Sequence, residues 1–159
     1  MEFQPLAQRA RLLFHVQALS RLVFFWVPVT VAGALGATFA VSSFTALVGA
    51  ITWLSFLFMM AIWYPTLAFE RWGYLLRDDD LVIQRGVLWR IVTAIPTHRI
   101  QHVDTRQGPF EQLLGLARVQ IYTASGMGAD GIIPGLDLDD AEELRDELVQ
   151  LLEAEDDGV

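Results

Sequence analysis

From Leu22 to Phe69 the chain is apolar almost without interruption. Beyond Glu70 apolar and polar residues alternate in short runs, and beyond Asp139 apolar residues return every third or fourth position. The first block contains 48 consecutive residues without Asp, Glu, Arg or Lys, far more than the roughly 18 that mark a membrane span. Residues 22–41, LVFFWVPVTVAGALGATFAV, and 44–64, FTALVGAITWLSFLFMMAIWY, would each extend about 30 Å as a helix, the thickness of a bilayer core. A single helix over the whole block would be more than twice too long, so the pattern predicts a transmembrane hairpin with a tight turn at Ser42 and Ser43. Pro28, Gly33 and Gly36 weaken the first span, which favours insertion of the two spans together. Ala32, Gly36 and Ala40 on the first span, and Ala46 and Ala50 on the second, repeat every four positions and offer a face for close helix packing.

The alternating region reads as a set of short strands. Residues 71–77 and 81–85 form a hairpin about the turn cluster Asp78 to Asp80, and 87–95 make a third strand that Pro96 ends. Another strand covers His102 to Arg106. Pro109 opens a short helical turn that runs through Leu114 and closes at Gly115. Residues 117–125 alternate most clearly, Gly126 to Gly131 read as a loop, and GIIPGL follows as a short last strand. The final helix, 139–153, lines up Ala141, Leu144, Leu148, Leu151 and Leu152 on one stripe and starts at an Asp139 or Asp140 cap. The fold class expected is a membrane-anchored α+β protein: a two-helix hairpin, then a small antiparallel barrel or sandwich over 70–153 capped by its C-terminal helix, and an acidic tail at 154–159.

Composition agrees, with 53% hydrophobic residues and a mean hydropathy of +0.39. The net charge of −8 is uneven: residues 1–21 carry +2, Glu70 to Leu136 balance seven Arg with seven acids, and Asp137 to the end carries −10. Arg9, Arg11 and Arg21 flank the first span and Arg71 and Arg77 follow the second, so both termini are expected in the cytoplasm, with the protein multi-pass in the cytoplasmic (inner) membrane. Phe24, Phe25 and Trp26 opening the first span, with Trp63, Tyr64 and Trp72 closing the second, are expected to form one aromatic belt. The 21 residues before the first span are too long for the charged start of a signal peptide, and a second span follows at once. Within them, residues 6–19 fit a partly helical amphipathic segment with Leu6, Leu13, Val16 and Leu19 on one side, or an ordinary cytoplasmic lead-in. Cysteine is absent, which removes disulfides, thiolate metal sites and thiol nucleophiles.

Candidate chemistry concentrates in IPTHRIQHVDTRQGPFEQLLGL, residues 95–116. On an ideal strand His98, His102 and Asp104 share parity and would make a partial metal site, but no further ligand is near in sequence, and solvent-facing polar residues are the simpler reading. Ser125 lacks a nucleophile-elbow context, the glycines of 126–131 do not lead into a helix, and Asp78 to Asp80 lack calcium-loop spacing. No catalytic residue, metal or cofactor is expected.

An ordered set of residues carries a resemblance. Tyr74, Gly86, the pair Ile95 and Pro96, the triplet Arg99, Ile100 and Gln101, then Gln107, Leu114, Gly115, Leu116 and the Thr123 to Gly126 turn follow one another as in the bacterial pleckstrin-homology-like (PH-like) family of the YdbS type, which this stretch resembles over about residues 70–153. The resemblance implies a barrel of two orthogonal sheets capped by the C-terminal helix, two preceding spans and no enzymatic activity. It implies those residues as structural positions, and fold alone does not assign function. Phosphoinositide recognition would be the analogy, yet the first hairpin carries three aspartates where a headgroup site would want Lys and Arg, so specific anionic headgroup binding is disfavoured and nucleic acid more so. The function expected is a non-enzymatic binding or scaffolding module that contacts the lipid bilayer and other membrane proteins or copies of itself. The alternative is a membrane-embedded enzyme or transporter subunit with a site around His98, His102 and Asp104. Against that alternative, neither span holds an ionisable residue for an ion or proton path.

Overall fold

The computed structural model describes residues 3–77, 79–124 and 128–156, with side chains to 152. Asp78 of the aspartate turn, Ser125, Gly126 and the end of the acidic tail lie outside the described residues. The chain divides into two compact units: Phe14–Leu67, and a second made of Met1–Leu13 with Ala68–Val159.

The helical unit takes in most of two runs of 28 residues, Ala10–Ala37 and Ser43–Glu70, each long and apolar enough to cross a membrane. The first run is continuous: α1 (Ala10–Arg21), one π turn (Leu22–Trp26) and α2 (Val27–Ala37). It thus begins well before the expected start at Leu22 and stops short of Val41. Within the π turn the Val27 N–H reaches back five residues to the Leu22 carbonyl. The widened turn directly precedes Pro28, whose ring nitrogen has no hydrogen to continue the ladder. Residues 38–42 make the connection, longer than the two serines expected. Ser42 then caps α3 (Ser43–Glu70): its Oγ accepts the Thr45 N–H at 3.3 Å, while the Thr45 hydroxyl donates to the Ser42 carbonyl at 2.8 Å.

The packing face of this pair differs in part from the one expected. Ala46 and Ala50 lie on it, together with Leu54, but across from them stand Thr30, Ala34 and Ala37, while Ala32, Gly36 and Ala40 are exposed. Four-residue spacing of small residues occurs on two faces of α2. The face that packs is the one with Thr30, whose hydroxyl is satisfied inside its own helix by the Trp26 carbonyl at 2.7 Å. Trp26 meets Trp53 edge to face with centroids 6.4 Å apart. The aromatic residues of the first span therefore lie level with the middle of α3, about 15 Å along the axis from Trp63, and a single belt with Trp63 and Tyr64 does not form. The offset follows from the early end of the first helix at Ala37, eleven residues after Trp26, whereas Trp63 lies twenty residues after the start of α3.

The second unit has six strands in two antiparallel sheets, ordered β1 (Gly73–Leu76), β2 (Asp80–Arg85), β3 (Ile91–Pro96) and β4 (Ile100–Arg106), β5 (Leu116–Thr123), β6 (Gly131–Asp137). A 3₁₀ turn, Thr97–Arg99, links the sheets, α4 (Pro109–Leu114) joins β4 to β5, and α5 (Leu138–Asp156) follows β6. Strand β3 starts four residues later than the alternation suggested, because Val87 to Arg90 form the loop of the β2–β3 hairpin. Leu81, Ile83, Ile95, Val103, Val119, Ile121 and Ile133 make the core, and Ala141, Leu144 and Leu148 of α5 close it against β4, β5 and β6. Asp139 and Asp140 fall inside the first turn of α5 instead of capping it, where their charge still favours the helix N-terminus.

The N-terminal segment is part of this unit. Gln4 exchanges backbone hydrogen bonds with Tyr74 at 2.7 and 3.1 Å, the Ala7 N–H donates to the Gly135 carbonyl, and Leu6, Ala10 and Leu13 are buried. The buried stripe keeps Leu6 and Leu13 of the expected amphipathic face and leaves Leu19 exposed.

Candidate functional site

The histidine segment does not assemble as the strand parity suggested. His98 lies in the 3₁₀ turn, and the β4 ladder shifts register between Ile100 and His102, so an unbroken strand parity does not run from 98 to 104. His102 and Asp104 do share the outer face of β4, opposite Tyr122 and Gln120. There His102 stacks on Tyr122 at 4.3 Å, and Asp104 pairs with Arg106 at 2.9 Å. The Asp104 hydrogen bond and the neighbouring Tyr122 raise the Arg106 pKa further above its ordinary value. Among the described residues no group of three metal-binding side chains forms. On this face Asp104 pairs with Arg106 and the Tyr122 hydroxyl donates to Gln120 Oε1 at 2.9 Å, while His102 lies against the Tyr122 ring.

The other residues singled out by pattern hold the fold in identifiable ways. Gly86 has φ +107°, and a Cβ there would stand 1.9 Å from the Trp89 carbonyl oxygen. Gly115, at φ +66°, ends α4. Ile95 and Ile100 are buried, Pro96 ends β3, and Arg99 and Gln101 face solvent. Gln107 donates from Nε2 to the Leu116 carbonyl at 2.7 Å, fixing the loop that carries α4. The Thr123 N–H and hydroxyl both donate to Asp130 Oδ2, at 2.9 and 2.7 Å, which holds the Asp130 carboxyl below the usual range.

Two features were missed by sequence reasoning. Glu111 is only 1% exposed, and its carboxylate takes a forked set of bonds from Arg118 (Nε at 2.9 and 3.1 Å, Nη2 at 2.7 Å) together with the Gly108 N–H. Glu three residues after the glycine that precedes Pro109 is the one sequence signal for it. The second feature is a groove of about 390 Å³ between the N-terminal segment, β1 and α5, lined by Gln4, Pro5, Tyr74, Leu136, Asp140, Glu143, Leu144 and Glu147. Its three carboxylates have no ion-pair partner among the described residues. Burial first, then the charges of Asp140, Glu147 and Glu143, raise the Tyr74 pKa above its ordinary value. The i, i+3, i+7 spacing of 140, 143 and 147 could have shown that these acids share a helix face, but nothing local shows that Tyr74 stands opposite.

Residues 22–152 match the family model described as Bacterial PH domain, a span that takes in both apolar helices and both sheets. The chain belongs to this family. It is 32% identical over 136 residues to the UPF0699 transmembrane protein YdbS of Bacillus subtilis (strain 168), covering 86% of this chain and 74% of that protein. It is also 28% identical over 99 residues to the UPF0699 transmembrane protein YdbT of the same organism, covering 62% of this chain and 20% of YdbT. No solved structure matches it significantly. This bacterial PH domain protein is thus a membrane protein with two candidate transmembrane helices. Tyr74, one of the positions of the resemblance, opens onto this polar recess of the PH domain.

Proposed function

We propose that the chain is an integral protein of the cytoplasmic membrane, with both termini in the cytoplasm, and that its PH domain is a non-enzymatic binding or scaffolding module. Its partners are other membrane proteins or further copies of the chain. The Tyr74 groove is the observation that carries this reading: an aromatic floor with three unpaired carboxylates on its α5 side suits a basic, extended or helical segment of a protein. The same carboxylates, with Asp79 and Asp80 at the β1–β2 turn, repel phosphorylated headgroups, so recognition of a lipid headgroup in this recess is disfavoured. The orientation rests on Arg9, Arg11 and Arg21 before the long uncharged block and Arg71 and Arg77 after it, with no basic residue at the turn between the spans.

Crosslinking of the full chain in native membranes, followed by identification of its neighbours, tests the reading. The expected result is a discrete protein neighbour, or a second copy, whose yield falls at least about tenfold in the triple variant Asp140→Asn, Glu143→Gln, Glu147→Gln. Neighbours that are identical for the wild type and the triple variant would remove the groove from the account. Absence of any protein neighbour together with a monomeric chain would end the scaffold reading.

A further inference from the structure

The β2–β3 hairpin ends in a tip that water alone does not explain. Leu88 is 87% exposed and Trp89 80%, side by side at the end of the loop. The loop is also built in a definite shape. Gly86, at φ +107°, lets the chain fold back so tightly that its α-carbon nearly abuts the Trp89 carbonyl. Arg71 donates from Nη1 to the Val87 carbonyl at 2.9 Å, and Arg90 donates from Nη2 to Gln84 Oε1 at 2.7 Å. The apolar tip is therefore held out by a braced turn.

Its surroundings are basic. Arg71, Arg85 and Arg90 are all exposed at this end of the sheet, against Glu70 as the one carboxylate beside them in sequence. The aspartates of the β1–β2 turn stand at the other end of β2, about 17 Å away. Chain connectivity points the same way. Only Arg71 and Trp72 separate the end of α3 from β1, whose first residue Gly73 pairs with Gln84, next to the loop. The domain is thus tied to its membrane helix at the tip's own end of the sheet.

We propose that Val87 to Arg90 form a second, shallow membrane anchor: Leu88 and Trp89 enter the headgroup–acyl boundary of an anionic phospholipid leaflet, and Arg71, Arg85 and Arg90 lie at the level of its phosphates. Tryptophan prefers this interface, and arginine keeps its guanidinium at the phosphates while its stem lies in the apolar layer. The contact is delocalised over the leaflet and needs no headgroup pocket. It holds whichever protein occupies the acidic groove.

Because the chain has no cysteine, Leu88→Cys in the full-length protein gives a single thiol for a nitroxide label, and Asp79→Cys gives the reference at the opposite end of the sheet. Both proteins are reconstituted in phosphatidylcholine vesicles containing phosphatidylglycerol. Collisions of the label with dissolved oxygen and with a water-soluble nickel chelate are then compared. The expected oxygen-to-nickel ratio is at least about threefold higher at 88 than at 79, and it falls to the reference value when Trp89→Ser is added. Equal ratios at the two positions overturn the proposal. So does spin–spin broadening at 88 that disappears on dilution with unlabelled protein, which would assign the tip to a second copy. The side chains at 88 and 89 pack on little of the domain, and urea unfolding of the variants checks that the fold is retained.

Discussion

Gly131 in the PH domain and Gly36 in the helical hairpin are the same residue in opposite surroundings. A Cβ at Gly131 would stand 2.6 Å from Ile95 Cδ1, 3.0 Å from Ile83 Cδ1 and 3.4 Å from Ile121 Cδ1, because β6 passes where the side chains of the two sheets meet. At Gly36, as at Gly33 and Gly49, nothing lies within 4 Å. Water drives the domain's apolar side chains inward until they fill their space, whereas lipid is as apolar as the hairpin itself and supplies no such drive. In the hairpin Val31, Leu35, Ile51 and Phe56 are all exposed, and in the domain Leu81, Ile121 and Ile133 are enclosed. A small residue is therefore a steric necessity in one region and largely a matter of local helix contact in the other.

Polar groups sharpen the contrast. The domain buries a carboxylate at Glu111 and meets it with a guanidinium and a backbone amide, while in the helical unit the Thr30 hydroxyl bonds within its own helix and the Thr66 hydroxyl meets His15 Nε2 of the other helix at 3.3 Å, with no carboxylate among them. Replacing Glu111 with Ala leaves the Gly108 N–H buried and the Arg118 guanidinium half-buried without its partner. The expected loss is about 3 kcal/mol, the largest of any change considered, reduced from a fully buried pair because Arg118 can turn toward water. Urea unfolding of the domain within the detergent-solubilised full chain measures it. A loss near zero would mean that the domain tolerates vacant polar sites as loosely as the hairpin does.

Next in size is Gly131→Val. The added carbons meet the ends of three isoleucines, which can shift but have little room to do so, and the expected cost is about 2 kcal/mol by the same unfolding measurement. An unchanged midpoint would show that the two sheets are not packed to the density that the Gly131 contacts imply.

These contrasts explain how far the sequence could be read. Helices, strands and the α4 turn followed from periodicity and from Pro109 and Gly115, because those signals are local. The start of the first helix at Ala10 was hidden: Arg11 and Arg21 look like the end of a membrane segment, yet they continue the same helix on its polar side. Val87 to Arg90 looked like strand because Val, Leu and Trp suit strands, and only the positive φ of Gly86 turns them into a loop tip. Gly131 read both as the end of a loop and as the first residue of the last strand, which it is, but the need for glycine there is set by side chains from residues 83, 95 and 121, far away in sequence. The acidic groove escaped for the same reason: Tyr74 and α5 come together only through the fold.

On the hairpin side, Ala34 lies at the α2–α3 contact and borders the grooves on both sides of it. Ala34→Leu is expected to cost about 1 kcal/mol, because the helices can separate into lipid without opening a void. Denaturation in mixed micelles of mild and harsh detergent, followed by helical circular dichroism, reads the change.

Smallest of all is Gly36→Leu, two positions along the same helix. With no neighbour within 4 Å, the new side chain enters lipid-facing space, and leucine favours the helix over glycine, so stability should stay level or rise by up to about 1 kcal/mol in the same assay. The sign of this result is informative. A clear loss cannot come from α3, which packs on the Thr30 and Ala34 face, so it would place another helix against Gly36, from a second copy or a membrane partner. Dilution of the protein in detergent would separate these cases, since a second copy makes the loss depend on protein concentration and a bound partner of another sequence does not.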